Sequence, residues 1–79
     1  MTRAEIIIKL NEIFADIIDE GPVYLSETNT SNDIEGWDSL TNIQLIVDIE
    51  KNLNIKFTSD EIFSWKNVGE MIDCILIKK

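Results

Sequence analysis

Ile34-Glu35-Gly36-Trp37-Asp38-Ser39-Leu40, followed at once by an apolar run to Leu53, sets the plan of this chain. Gly36 breaks the backbone, Asp38 stands directly ahead of Ser39, and a periodic helix begins. That order places one hydroxyl at a helix N-terminus, where unpaired N–H groups and the helix dipole favour a bound or attached phosphate. A second reading needs no chemistry. Ser and Asp are preferred N-cap residues whose oxygens accept the first orphan N–H groups. The tripeptide Asp-Ser-Leu alone does not choose between the two, so the choice falls to its surroundings.

Upstream, residues 21–38 form a long connection rich in Gly, Ser, Thr, Asn and Asp, with Val23, Tyr24, Leu25 and Ile34 as its apolar anchors. A connection this long in a small domain is functional or crosses the bundle. Asp33, Glu35 and Gly36 imitate part of a calcium loop. With Gly36 at the sixth position, however, the first and twelfth fall on Ser31 and Asn42 instead of an aspartate and a bidentate glutamate. Calcium binding is rejected. Before this connection lies a helix over about 3–19, opened by the capping box of Thr2 and Glu5. Ile6, Leu10, Ile13, Phe14, Ile17 and Ile18 recur along it at helical spacing. Arg3, Glu5, Lys9, Glu12, Asp16 and Asp19 take the other face, and Gly21-Pro22 stops the helix near Asp19 or Glu20.

Downstream, the helix over about 39–53 spaces Leu40, Ile43, Ile46, Val47, Glu50 and Leu53 on one face, widened by Leu45 and Ile49. Asn54 is its stop, and Ile55 and Phe57 sit in an extended connector. Ser59 caps a short helix over about 60–65, and Asn67 with Glu70 makes a capping box for a last helix over about 68–78. Val68, Met71, Ile72, Ile75 and Leu76 form its buried face, with Trp65 in the core, and Lys78 and Lys79 suit its C-terminal end. No repeat and no strand pair is visible. The expected fold is all-α: one domain over 1–79, a small four-helix bundle with three longer helices, one short helix and a long first connection.

Composition narrows the function. Fifteen Asp and Glu against seven Lys and Arg give a net charge of −8, which argues against nucleic acid and suits a soluble monomer that meets basic partner surfaces. The chain has no histidine and one cysteine, Cys74. That removes Ser-His-Asp and Cys-His catalysis, an internal disulfide and a metal site of these ligands. Cys74 reads as structural, at the margin of the last helix's apolar face. No apolar run is long enough to span a membrane and no signal segment opens the chain, so a cytoplasmic protein is expected. An enzyme lacks parts here, with neither a nucleophile–base pair nor a glycine-rich phosphate loop.

From Gly36 to Asp73 the chain resembles an acyl carrier protein. The likeness rests on Asp38-Ser39-Leu40 and on the helix Ile43-Gln44-Leu45-Ile46-Val47-Asp48-Ile49-Glu50. It continues through the connector Ile55-Lys56-Phe57, the short helix from Ser59 to Trp65, and Asn67-Val68-Gly69-Glu70-Met71-Ile72. The resemblance implies that Ser39 carries 4'-phosphopantetheine, donated from coenzyme A by a phosphopantetheinyl transferase. The arm's thiol would then hold acyl groups as thioesters, passed between acyl-activating, acyltransferase or ketosynthase enzymes of fatty acid, polyketide or specialised lipid metabolism. It implies no catalytic residue and no metal, since the chemistry belongs to the arm.

By the same resemblance Asp38 helps the transferase dock, Leu40 packs at the top of the bundle and is felt by partners, and Ile43, Gln44, Asp48 and Glu50 lie on the recognition helix. Trp37 either contacts partners or clamps the loop. Thr41 and Gln44 stand where fatty-acid-synthesis carriers are often acidic, and Lys51 adds a positive charge, which favours a specialised stand-alone carrier over the housekeeping type. A stand-alone aminoacyl carrier is the alternative within the family. An acidic helical interaction module without a prosthetic group is the alternative outside it, and there Ser39 would be only a cap. A core of Ile, Leu, Val and Met also suits a carrier that opens to shelter its cargo, with Ile43, Val47 and Ile72 as reporters.

Overall fold

The computed structural model describes residues 1–18 and 21–78. Four helices follow one another: α1 (Arg3–Ile18), α2 (Ser39–Leu53), α3 (Ser59–Ser64) and α4 (Val68–Lys78). No strand occurs among the described residues. The expected end of α1 at Asp19 or Glu20, the place of Asp19 on its polar face, and Lys79 lie outside the described residues.

α1 starts as its capping box requires. Thr2 Oγ1 accepts the Glu5 N–H at 3.2 Å and the Glu5 carboxylate accepts the Thr2 N–H at 2.8 Å. Its apolar face sends Ile6, Leu10, Ile13 and Phe14 into the core, and α2 and α4 pack against it. Leu45, Ile49 and Leu53 of α2 meet Val68, Met71, Ile72 and Ile75 of α4 there, with Leu25 and Ile55 entering from the connections. Each such burial is worth about 1.5–3 kcal/mol before entropy is counted.

The inner face of α2 differs from the expected one. Leu45, Ile46, Ile49 and Leu53 are buried, whereas Leu40, Ile43 and Val47 are 73, 64 and 47% exposed. Apolar residues on this helix span more arc than α1 and α4 together can cover. The i, i+4 line of Leu45, Ile49 and Leu53 turns inward and leaves a second line, Leu40, Ile43 and Val47, facing out. Ile43 and Val47 are therefore surface positions, while Ile72 is fully buried. α2 ends where expected, with Asn54 left-handed at φ 55° and the Ile55 N–H reaching back to the Glu50 carbonyl at 3.1 Å.

α3 begins one residue earlier than expected because Thr58, not Ser59, is its cap. Thr58 Oγ1 accepts the Glu61 N–H at 3.2 Å, and the Glu61 carboxylate accepts the Thr58 N–H at 2.8 Å. Trp65 lies beyond the helix in extended backbone, half-buried, its ring edge-on to Phe57 at 4.9 Å. At α4 the expected capping box is half-formed. The Asn67 side chain accepts the Glu70 N–H at 2.9 Å, but the Glu70 carboxylate turns to the Lys66 N–H at 3.4 Å.

The long connection does cross the bundle. Val23 is half-buried and Leu25 buried, but Tyr24 is 83% exposed, since neighbouring side chains of an extended segment point to opposite sides. The Leu25 N–H donates to Asn11 Oδ1 at 2.8 Å. Beyond it, the carbonyls of Asn29 and Glu27 accept the N–H groups of Val68 and Gly69 at 2.9 and 2.8 Å, satisfying two orphan donors at the start of α4. A Cβ on Gly69 would stand 3.1 Å from the Glu27 carbonyl oxygen, so this approach suits glycine. The Arg3 guanidinium joins α1, the loop and α4 by ion pairs to Glu27 and Asp73. These hydrogen bonds and ion pairs hold its charged form, raising the Arg3 pKa, and the Glu27 carboxyl is depressed in turn, chiefly by its hydrogen bond to Arg3.

Candidate functional site

The loop approaches α2 through Gly36, whose φ of +87° is a left-handed conformation that costs a glycine little. A Cβ there would meet Ile18 Cγ2 at 2.8 Å, so the loop is drawn hard against the end of α1. Trp37 follows, half-buried. Its ring stands edge-on to Phe14 with centroids 4.9 Å apart, and its indole Nε1–H donates to Asn42 Oδ1 at 3.0 Å. Trp37 thus clamps the loop onto α1 and α2.

Asp38 is the N-cap of α2, in extended backbone at φ −120°, ψ −173°. Its carboxylate accepts the Leu40 and Thr41 N–H groups at 3.0 and 2.9 Å, while Thr41 Oγ1 accepts the Asp38 N–H at 2.8 Å. The Thr41 hydroxyl donates to the Gly36 carbonyl at 2.8 Å. These bonds hold the Asp38 carboxyl below its ordinary range, the Thr41 N–H contributing most. Asp-x-x-Thr is a capping box that the sequence reading passed over.

Ser39 is therefore not the cap. It is the first residue of the helix, it is exposed, and its hydroxyl makes no hydrogen bond among the described residues. The bland account of this serine fails because its neighbour already does that work. What is left is an accessible hydroxyl on a fixed backbone at the positive end of a helix, free to carry a phosphate ester.

Beside Ser39 opens a cleft of about 370 Å³, bounded by Trp37 and Asn42 on one side and by Ile62, Trp65 and Lys66 on the other. Buried Met71 also lines it. The sequence reading placed Trp65 in the core and gave Ile62 and Lys66 no part here. Only the meeting of the α3–α4 connector with the start of α2 brings them together.

The remaining residues expected at the site fall into two groups. Leu40, Ile43 and Gln44 are exposed on α2, and Val47 joins them although it was expected inside. Leu40 does not pack into the top of the bundle. Asp48 is half-buried on the same helix, and Glu50 is committed elsewhere, its carboxylate accepting the Phe57 N–H at 2.8 Å. Glu50 holds the connector to α3.

Cys74 stands apart from Ser39's cleft. It is half-buried, its thiol donating to Glu61 Oε2 at 3.6 Å, and burial followed by the charge of Glu61 pushes its pKa up, away from thiolate reactivity. Glu61 also pairs with Lys78 at 2.9 Å. Among the described residues no group of His, Cys, Asp and Glu could hold a metal ion, and no helix is long and apolar enough to cross a membrane.

The family model of the phosphopantetheine attachment site matches residues 8–75. The resemblance carried by Gly36 to Asp73 thus extends back into α1. The solution NMR structure of a holo acyl carrier protein from Geobacter metallireducens is similar to this chain, with a TM-score of 0.83 and 36% sequence identity over 91% of this chain and 83% of that one. No curated protein sequence matches significantly. With most of its length matched and its loop, cap and helices in that arrangement, the chain belongs to the family defined by a phosphopantetheine attachment site.

Proposed function

We propose that this chain is an acyl carrier protein, one carrier domain over residues 1–79, and that Ser39 is where 4'-phosphopantetheine is esterified. The observation that carries the assignment is the division of labour at the start of α2: Asp38 takes the cap, and Ser39 Oγ is left free and exposed. The attached arm supplies a terminal thiol on which acyl groups travel as thioesters. The protein's own part is to hold Ser39 on rigid backbone, and Gly36, Trp37, Asp38 and Thr41 do this through the bonds described above.

The second part of the proposal is how the carrier is read. Leu40, Ile43 and Val47 give α2 an exposed apolar line beginning next to Ser39, with Gln44 and Asp48 on the same helix. A phosphopantetheinyl transferase and the acyl-activating, acyltransferase or ketosynthase enzymes would dock there, with Trp37 held back as a clamp and Asp38 at the rim. Against a net charge of −8, basic surfaces on such enzymes gain encounter rate more than residence, which suits a carrier that must let go. On this reading the protein works in the cytoplasm as a substrate of enzymes, not as one, and its fewer acidic groups on α2 favour a specialised acyl pathway.

The test is an intact mass before and after incubation with coenzyme A, magnesium and a broad-specificity phosphopantetheinyl transferase. The expected result is a gain of one phosphopantetheine that Ser39→Ala abolishes. No gain with several transferases, on folded protein, would leave an acidic interaction module as the better account.

A further inference from the structure

We propose that the far end of α2 reverses the polarity of the docking surface: the phosphopantetheinyl transferase that loads Ser39 sets a carboxylate side chain, with an apolar neighbour, into a hollow between Lys51 and Lys56. This rests on the carrier reading and names the chemistry that one partner must present.

Val47, Glu50, Lys51, Asn54, Ile55 and Lys56 line a hollow of about 490 Å³ where α2 gives way to the connector. Val47, 47% exposed, ends the outward apolar line of Leu40, Ile43 and Val47 and is also a wall of the hollow, so the two form one continuous surface. Lys51 and Lys56 are exposed, and neither pairs with a carboxylate among the described residues. Lys51 has a local reason to be basic, since it lies in the last turn of α2, where the helix dipole favours a cation. Lys56 has no such reason, because it stands outside every helix. Glu50, the one acid lining the hollow, spends Oε2 on the Phe57 N–H. Two cations against that one carboxylate leave the hollow net positive, in a chain whose net charge is −8.

Reach selects the occupant. Lys51 lies twelve residues along the helix from Ser39, about 18 Å at the usual rise. An interface of ordinary size covers about 800 Å² of each partner, a patch roughly 32 Å across. An enzyme acting on Ser39 Oγ itself must cover the start of α2, and the exposed apolar line leads its footprint on to the hollow. An enzyme acting on the arm's thiol stands an arm's length away and can leave α2 uncovered. Basic surface that suits Asp38 would meet like charge if it continued to Lys51 and Lys56. A carboxylate there relieves that repulsion and fixes the register of the transferase along α2.

The experiment measures arm uptake by intact mass, with coenzyme A, magnesium and the phosphopantetheinyl transferase of the same organism. Lys51→Glu and Lys56→Glu are compared with Lys9→Glu, at an exposed position on α1. Each variant takes the net charge from −8 to −10, and melting curves establish that each is folded. The expected result is a several-fold lower kcat/KM for Lys51→Glu and Lys56→Glu with kcat unchanged, a loss that shrinks as salt is raised. Lys9→Glu should load like the parent or faster. If the far end of α2 meets basic surface instead, the sign reverses: Lys51→Glu and Lys56→Glu loading as fast as Lys9→Glu, or faster, would overturn the proposal and leave the carrier reading standing. A parent chain that takes up no arm overturns both.

Discussion

Asp38 and Thr41 cap each other: the carboxylate of the first accepts the N–H of the second at 2.9 Å, and the hydroxyl of the second accepts the N–H of the first at 2.8 Å. Ser39 sits between them and takes no part. Ser39→Ala should therefore change stability by less than about 0.5 kcal/mol in a denaturant titration, while abolishing uptake of the arm. A loss of twice that or more would return the serine to a structural role.

Thr41→Val keeps the shape of the side chain and removes its hydroxyl, and with it the bonds to Asp38 and Gly36. The expected cost is about 1 kcal/mol. Arm uptake should also slow, because the backbone under Ser39 loosens. Comparing the denaturant midpoint with the initial rate of mass gain separates the two effects.

The two apolar lines of α2 should answer differently to substitution. Ile46 is 7% exposed, and Ile46→Ala should cost about 2–5 kcal/mol. Ile43 is 64% exposed, and Ile43→Ser should leave the melting curve nearly unchanged while slowing loading by the transferase. Equal loading rates for Ile43→Ser and the parent protein would remove this line from the docking surface.

Acid should unfold the protein through its capping carboxylates. Glu61 is held at about 2 against an ordinary 4.5, first by the Thr58 N–H and then by Lys78, and Glu5, Glu27 and Asp38 are depressed as well. A group whose folded pKa is lowered binds its proton more readily when unfolded. Its stabilisation is present above the unfolded value and is lost as pH falls through the folded one. Unfolding free energy measured in urea should fall steadily between pH 4.5 and 2. Glu61→Gln should be less stable at neutral pH and show a shallower fall. A fall as steep as the parent's would mean that Glu61 contributes nothing to it.

Gly36 and Gly21 both have positive φ, +87° and +96°. Only Gly36 has a neighbour in the way, Ile18 at 2.8 Å from an added Cβ. Gly36→Ala should cost well above the roughly 1 kcal/mol of left-handed backbone alone, and Gly21→Ala should stay near that figure. Melting temperatures of the pair decide it, and similar losses would mean that Ile18 moves aside freely.

Much of this was legible in the order of residues. The four helices, the box-capped start of α1, and the left-handed stop at Asn54 all follow from neighbours within one turn. Ser39 stood out for the same reason. What was not legible depended on parts distant in sequence. The direction in which α2 turns its apolar arc is set by how much room α1 and α4 offer, so Leu40 and Val47 could not be told from Ile46 by spacing. Glu50 looked like an acidic recognition residue until Phe57 came within reach of it. Trp65, Ile62 and Lys66 became cleft residues only when α3 and the connector after it came to face the start of α2. The box of Asp38 and Thr41 is different, since its partners stand three residues apart and need nothing distant in sequence to pair.

The loop carbonyls of Glu27 and Asn29 that receive the Gly69 and Val68 N–H groups have a consequence for the order of assembly. α4 closes its first turn locally, Met71 N–H to the Asn67 carbonyl, but the acceptors for the Val68 and Gly69 N–H groups arrive from a segment far upstream that must first be laid across α1. Docking of α4 onto that loop is thus a non-local event of folding. Once made, it ties α4 and the loop between α1 and α2 into a single cooperative unit. The amides of Val68 and Gly69 should exchange with solvent only as fast as the whole molecule opens.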